Sequence, residues 1–235
     1  MRELLLKSSK QCCILIFIYL ISVPAFAGLM LDKSRVIIYD NHPDHSAYVV
    51  NTNDYPVITQ FWVTDEASEA LPKDAKSPFL VVPPVAKLAP GEKKNMAIYY
   101  TGDTLNGDKE QLFWLNLHEA PPTANLDDNK VIVSMTTKIK LFLRPAHMEA
   151  LAKGPVPKIT CTQSKGKTRV SNTTPFYVNY LRLGTEDSGG YLPPFSTLYF
   201  NVHNNKILPM FYINDQGQIR HLEISCIKDR ASDPK

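Results

Sequence analysis

The stretch VIVSMTTKIKLFLRP, Val131–Pro145, decides how the rest of the chain is read. Val131, Val133 and Met135 alternate with the smaller or polar Ser134 and Thr136, the period of a strand whose two faces differ. The run is longer than the five or six residues usual in a sandwich strand. Two lysines, Lys138 and Lys140, interrupt its second half, and Lys140 stands between Ile139 and Leu141. A buried ammonium without a partner is costly, so Lys140 calls for a carboxylate of this chain or of a guest. A long exposed edge with alternate apolar residues is also a surface on which another strand can pair. Counting by twos puts Lys140 on the face opposite Val131, Val133 and Met135, so this reading asks for a twist or bulge toward the cation's partner.

Outward from that stretch the pattern repeats in shorter form. Arg35–Tyr39, Ser46–Val50, Val57–Val63, Phe79–Val82, Met96–Thr101 and Leu112–Leu117 are alternating or apolar segments separated by turn residues such as Ala89-Pro90-Gly91. RPAHMEALAKGPVP, residues 144–157, breaks the series with three prolines and reads as a connector. A second β-rich set follows: Lys158–Cys161, Thr168–Ser171, Tyr177–Arg182, Thr197–Phe200, Ile207–Ile213 and Ile219–Cys226. The expectation is an all-β protein of two sandwich domains, residues 28–147 and 148–235. Trp62 and Trp114 fall inside strands and read as core.

Residues 1–27 read as a cleaved signal peptide. Arg2, Lys7 and Lys10 precede an apolar run from about Cys12 to Val23, and Ala25-Phe26-Ala27 offers the small-x-small cleavage pattern. The run is shorter than the ~20 apolar residues that span a bilayer. Export points to the periplasm and to no membrane insertion of the mature chain. The leader takes Cys12 and Cys13 with it, and Cys161 and Cys226 remain. In an exported chain two cysteines are most simply a disulfide, with zinc binding or two free thiols as the alternatives. Closing so long a loop contributes on the order of 4 kcal/mol in the chain-entropy model.

The 235-residue chain has a net charge of only +3, which gives no sign of nucleic-acid binding. No catalytic motif, phosphate loop or zincin helix stands out. His42 and His45, in HPDHS, have a spacing that suits a metal, but a polar turn is the commoner meaning. Neither catalytic residues nor a metal site are expected.

Lys138–Pro145, KIKLFLRP, closely resembles the end of the last strand of the first domain in PapD-like periplasmic pilus chaperones. LDKSRVIIYD (31–40), FLVVPPVAKLAPGE (79–92) and LFWLNLHEAPP (112–122) resemble that family's first domain. NTTPFYVNYLRL (172–183), LPPFS (192–196) and INDQG (213–217) resemble its second. All occur in family order. The resemblance implies two immunoglobulin-like sandwiches set as an L around a cleft. It makes Arg35 and Lys140 the anchor for a pilus subunit's C-terminal carboxylate, and Val131, Val133 and Met135 the donor strand that completes the subunit's sandwich. It assigns Glu119, Arg144 and Asp215 to an interdomain ion-pair network, pairs Cys161 with Cys226 between the first and last strands of the second domain, and points to a cis Val82-Pro83 bond.

The short, cysteine-free segment from Glu119 to Lys130 resembles the short-loop branch that serves rod-forming pili. Leu143 and Ala97 depart from the family's usual aromatic and basic residues. The implied partners are pilus or fimbrial subunits and an outer-membrane usher, with no ATP, no cofactor and no enzymatic activity. Whether the guest-free protein self-associates through its exposed edge is left open. The rival reading is a secreted two-domain adhesin or carbohydrate-binding module.

Overall fold

A computed structural model describes residues 28–66, 70–120, 133–152, 157–164, 167–185, 189–200 and 206–228. The expected leader (1–27), Val131 and the segment 121–132 lie outside the described residues. The chain forms two β-sandwich domains.

The first is built from β1 (Leu29–Leu31), β2 (Arg35–Tyr39), β3 (Asp44–Asn51), β4 (Val57–Asp65), β5 (Phe79–Val82), β6 (Val85–Leu88), β7 (Lys93–Tyr100), β8 (Gln111–Ala120) and β9 (Met135–Arg144). A four-stranded sheet of order β1-β3-β7-β5 faces a five-stranded sheet of order β2-β9-β8-β4-β6. The alternation seen in the sequence is what fills the space between them. Val57, Thr59, Phe61 and Val63 turn inward from β4, while Ile58 turns out to 52% exposure. Val36, Ile38, Leu88, Met96, Ile98, Leu115, Leu141 and Leu143 complete the interior. Each such side chain contributes roughly 1.5–3 kcal/mol by leaving water. The Val82–Pro83 bond is cis.

A 3₁₀ turn (Ala146–Met148) and a single-turn helix, α1 (Glu149–Ala152), occupy the start of the connector. The second domain comprises β10 (Ile159–Ser164), β11 (Lys167–Asn172), β12 (Val178–Leu183), β13 (Gly190–Leu192), β14 (Thr197–Phe200), β15 (Ile207–Ile213) and β16 (Ile219–Lys228). Its strands run in the order β13-β12-β15-β16-β10-β11-β14, with β10 and β16 parallel. Cys161 and Cys226 are directly opposed in that parallel pair and are joined by a disulfide.

Three expectations need correction. β1, β6 and β13 are only three or four residues long and gave no periodic signal in the sequence. Trp62 and Trp114 are half-buried and stand outside the core, because their positions in β4 and β8 point away from the facing sheet. The bulge is absent as well. β9 pairs with β8 in unbroken antiparallel register from Glu119↔Met135 to Gln111↔Leu143. None is required, since regular alternation alone separates the two functions. Ile139, Leu141 and Leu143 face the sandwich interior, while Lys140, Phe142 and Arg144 face the second domain.

Candidate functional site

β9 is paired unevenly. β8 flanks it from Met135 to Leu143, whereas β2 pairs in parallel only with its second half, from Arg35↔Lys140 to Tyr39↔Arg144. Among the described residues the Met135–Ile139 edge away from β8 carries no partner strand. Met135 is 52% exposed and Val133, just ahead of the strand, 73%. Both continue the inward-facing row of Ile139, Leu141 and Leu143 past the end of the core. The result is an apolar stripe along a strand edge that no described strand covers.

Where β2 begins to pair, Arg35 and Lys140 stand side by side. Both are half-buried. Burial lowers the Lys140 ammonium below the usual lysine range, and the neighbouring Arg35 lowers it further. Burial also lowers Arg35, against the opposing pull of Asp215 and Glu110. Among the described residues their hydrogen-bond and ring partners are neutral. Lys140 Nζ donates to Asn179 Oδ1 at 2.7 Å and lies 5.0 Å from the Tyr191 ring and 5.8 Å from the Trp114 ring. Arg35 Nη1 makes only a long 3.4 Å bond to the Ile213 carbonyl, and its buried Nε has no hydrogen-bond partner. The anionic partner expected for Lys140 is therefore not supplied by any described residue. Two half-buried cations side by side, with donor capacity left over, make a pairing suited to a carboxylate.

Arg144 closes the deep end of the interdomain face. Its Nη1 and Nη2 donate to the two carboxylate oxygens of Asp215 at 2.6 and 3.0 Å, and its Nε donates to Glu110 at 2.5 Å. Glu110 also accepts from the Tyr177 amide at 2.7 Å, so the first domain grips the start of β12. Burial pushes the Glu110 carboxyl up to about 7, against Arg144 and the amide, which favour its charge. The carboxylates hold Arg144 well above the usual range despite burial.

The structure thus brings Arg144 and Asp215 together but not Glu119. Glu119 lies within the first domain, accepting from the Leu29 amide at 3.0 Å and from Asn53 Nδ2 at 2.8 Å. There it pins β1 so closely that a Cβ on Gly28 would sit 2.6 Å from its carboxylate. Glu110, which the sequence reading missed, takes the role expected of Glu119. Its one signal is a carboxylate at the threshold of β8, separated by Gln111 alone from the apolar run that starts at Leu112. Asn179, a lone amide in the buried V-N-Y run of β12, was missed too. His45 faces Lys33, whose Nζ lies 2.6 Å from Nε2. Among the described residues no three His, Cys, Asp or Glu side chains gather where a metal could be held.

Two family models cover the chain in succession: pili and flagellar-assembly chaperone, PapD N-terminal domain, over residues 28–149, and pili assembly chaperone PapD, C-terminal domain, over 156–224. The chain belongs to the PapD family of pilus chaperones. It is 30% identical to the chaperone protein PmfD of Proteus mirabilis, over 86% of this chain and 85% of that one. It is 29% identical to the chaperone protein PapD of Escherichia coli, over 88% and 90%. The crystal structure of the Pseudomonas aeruginosa CupB2 chaperone superposes with a TM-score of 0.70 at 27% identity, covering 84% of this chain and all of the other.

Proposed function

We propose that this protein is a periplasmic chaperone that captures pilus or fimbrial subunits by donor-strand complementation and passes them to an outer-membrane usher. The observation that carries this reading is the half-paired β9, with one strand presenting an open apolar edge and, a few residues on, a cation pair lacking a carboxylate. A subunit that lacks a strand of its own sandwich would pair along Met135–Ile139 and bury Val131, Val133 and Met135 in its groove. Its C-terminal carboxylate would settle between Arg35 and Lys140, gaining charge-assisted hydrogen bonds of roughly 1.5–3 kcal/mol each. The work is binding, without bond breaking, cofactor or nucleotide. The Arg144–Glu110–Asp215 cluster would fix the angle between domains 28–147 and 148–235, once a leader of residues 1–27 is removed on export.

The test is co-expression with candidate subunits, purification from the periplasm and identification of bound chains by mass spectrometry, with R35A/K140A alongside. A pilin-like partner present with the parent and lost from a folded R35A/K140A is expected. A partner retained by the double variant would remove the anchor assignment. No partner for either protein would return the chain to the adhesin reading.

A further inference from the structure

We propose that Glu66 is a positioning residue for the cationic cleft, acting through Tyr191 on Lys140. Glu66 belongs to the first domain, in the turn directly after β4. Its two carboxylate oxygens accept from two phenols of the second domain, Tyr191 at 2.8 Å and Tyr177 at 3.0 Å. The two rings pack against each other with centroids 5.7 Å apart, and Tyr177 also lies 5.7 Å from Phe142 of β9. The Tyr191 ring faces the Lys140 ammonium at 5.0 Å.

The contacts form a circuit that crosses the domain boundary twice, from Glu66 to Tyr191 and back to Lys140. Lysine is a flexible stem carrying a point charge, and left alone it sweeps a wide volume. A ring held at both ends by packing and a hydroxyl bond restricts that sweep through cation–π attraction. Asn179 fixes the ammonium from another side. The cleft therefore presents an aimed cation only while the two domains hold this mutual position.

Arg144 does something different. Its pair with Glu110 is buried and its pair with Asp215 half-buried, so breaking either strands a desolvated charge, whereas the Glu66 clasp lies at the solvent edge, where such bonds contribute little to folding. Loss of the clasp should leave the protein folded and blunt its anchor.

The proposal rests on Arg35 and Lys140 being that anchor, and the experiment separates the two. The mature chain is prepared with 13C-labelled lysine as parent, E66A, Y191F and R35A/K140A. Lys140 side-chain resonances are followed without guest. Each protein is then titrated with a synthetic strand of alternating apolar residues ending in a free carboxylate. In E66A and Y191F the Lys140 resonances are expected to move toward those of solvated lysines. Affinity should fall about three- to tenfold, the worth of one hydrogen bond, with the melting midpoint nearly unchanged. Y191F keeps the ring and removes only the hydroxyl, so the same loss there assigns the effect to the clasp. Unmoved Lys140 resonances in both variants overturn the proposal, as do moved resonances with unchanged affinity. Failure of the anchor reading shows separately, as full-strength binding by R35A/K140A.

Discussion

Asn179→Asp is the sharpest perturbation of the cleft. The side chain keeps its shape, and the oxygen that accepts from Lys140 Nζ at 2.7 Å becomes part of a carboxylate. The protein then carries its own anion where a guest's would dock. At an effective dielectric of about 20, opposite unit charges 4 Å apart attract by about 4 kcal/mol. Lys140 is half-exposed, and Asn179, at 5% exposure, would have to bury a new charge. Solvent screening and lost hydration cut the gain to about 1–2 kcal/mol.

For the guest the sign is opposite. The cleft's charge falls by one, and an arriving carboxylate loses about one charge-assisted hydrogen bond, roughly 1.5–3 kcal/mol. That corresponds to a roughly 10- to 150-fold weaker complex. Calorimetric titration with a strand peptide ending in a free carboxylate, and with its amidated twin, reads this directly. N179D should lose affinity for the acid and keep its weaker affinity for the amide, while its Lys140 titrates higher than in the parent. Equal binding of the acid by parent and variant would refute the argument. Parallel losses for acid and amide would show that the damage lies in strand packing and not in charge.

Two further predictions concern the frame. Burial raises Glu110 from 4.5 to about 7, so the folded state holds its proton more tightly than the unfolded chain. Its contribution is fully present below pH 4.5 and is lost as pH rises through about 7, so E110Q should flatten the stability profile across that window in denaturant titrations. Replacing Cys161 and Cys226 by serine should cost the second domain about 4 kcal/mol by the loop-entropy argument, seen as an earlier denaturation transition that reductant reproduces in the parent.

Much of the frame is legible in the sequence. Alternation in β4 and β9 announced two-faced strands because burial on one side leaves a period of two. The motifs along β2 and β9 pointed to Arg35 and Lys140, which the parallel pairing sets side by side. Pairing Glu119 with Arg144 failed for a physical reason. Both carboxylates of β8 and its approach are buried, Glu110 at 2% and Glu119 at 8% exposure, and only the packing of the second domain distinguishes them. A strand residue as large as Trp114 is usually core, but the face of β8 that carries it looks toward Lys140 and the second domain. The count by twos rightly sets the donor residues and Lys140 on opposite faces; the twist or bulge expected to turn the cation toward its partner is not needed, because the second domain packs against that face of a regular strand. Asn179, Glu66 and Tyr191 carried no local signal, since their meaning arises from contacts across the domain boundary.

The parallel pairing of β2 with β9 also has a consequence in time. The two cations come from residues 35 and 140, while the groups that shield and aim them come from residues 179, 191 and 213. A chain emerging from its N-terminus completes the first sandwich, cations included, before any of those groups exist. Until then Lys140 has only the Trp114 ring beside it and both cations are otherwise hydrated and poorly aimed, so a carboxylate has little to gain from them. The desolvated, oriented pair is assembled by the arrival of the last third of the chain. On the anchor role proposed above, readiness to receive a guest is in this way tied to the chaperone's own completion.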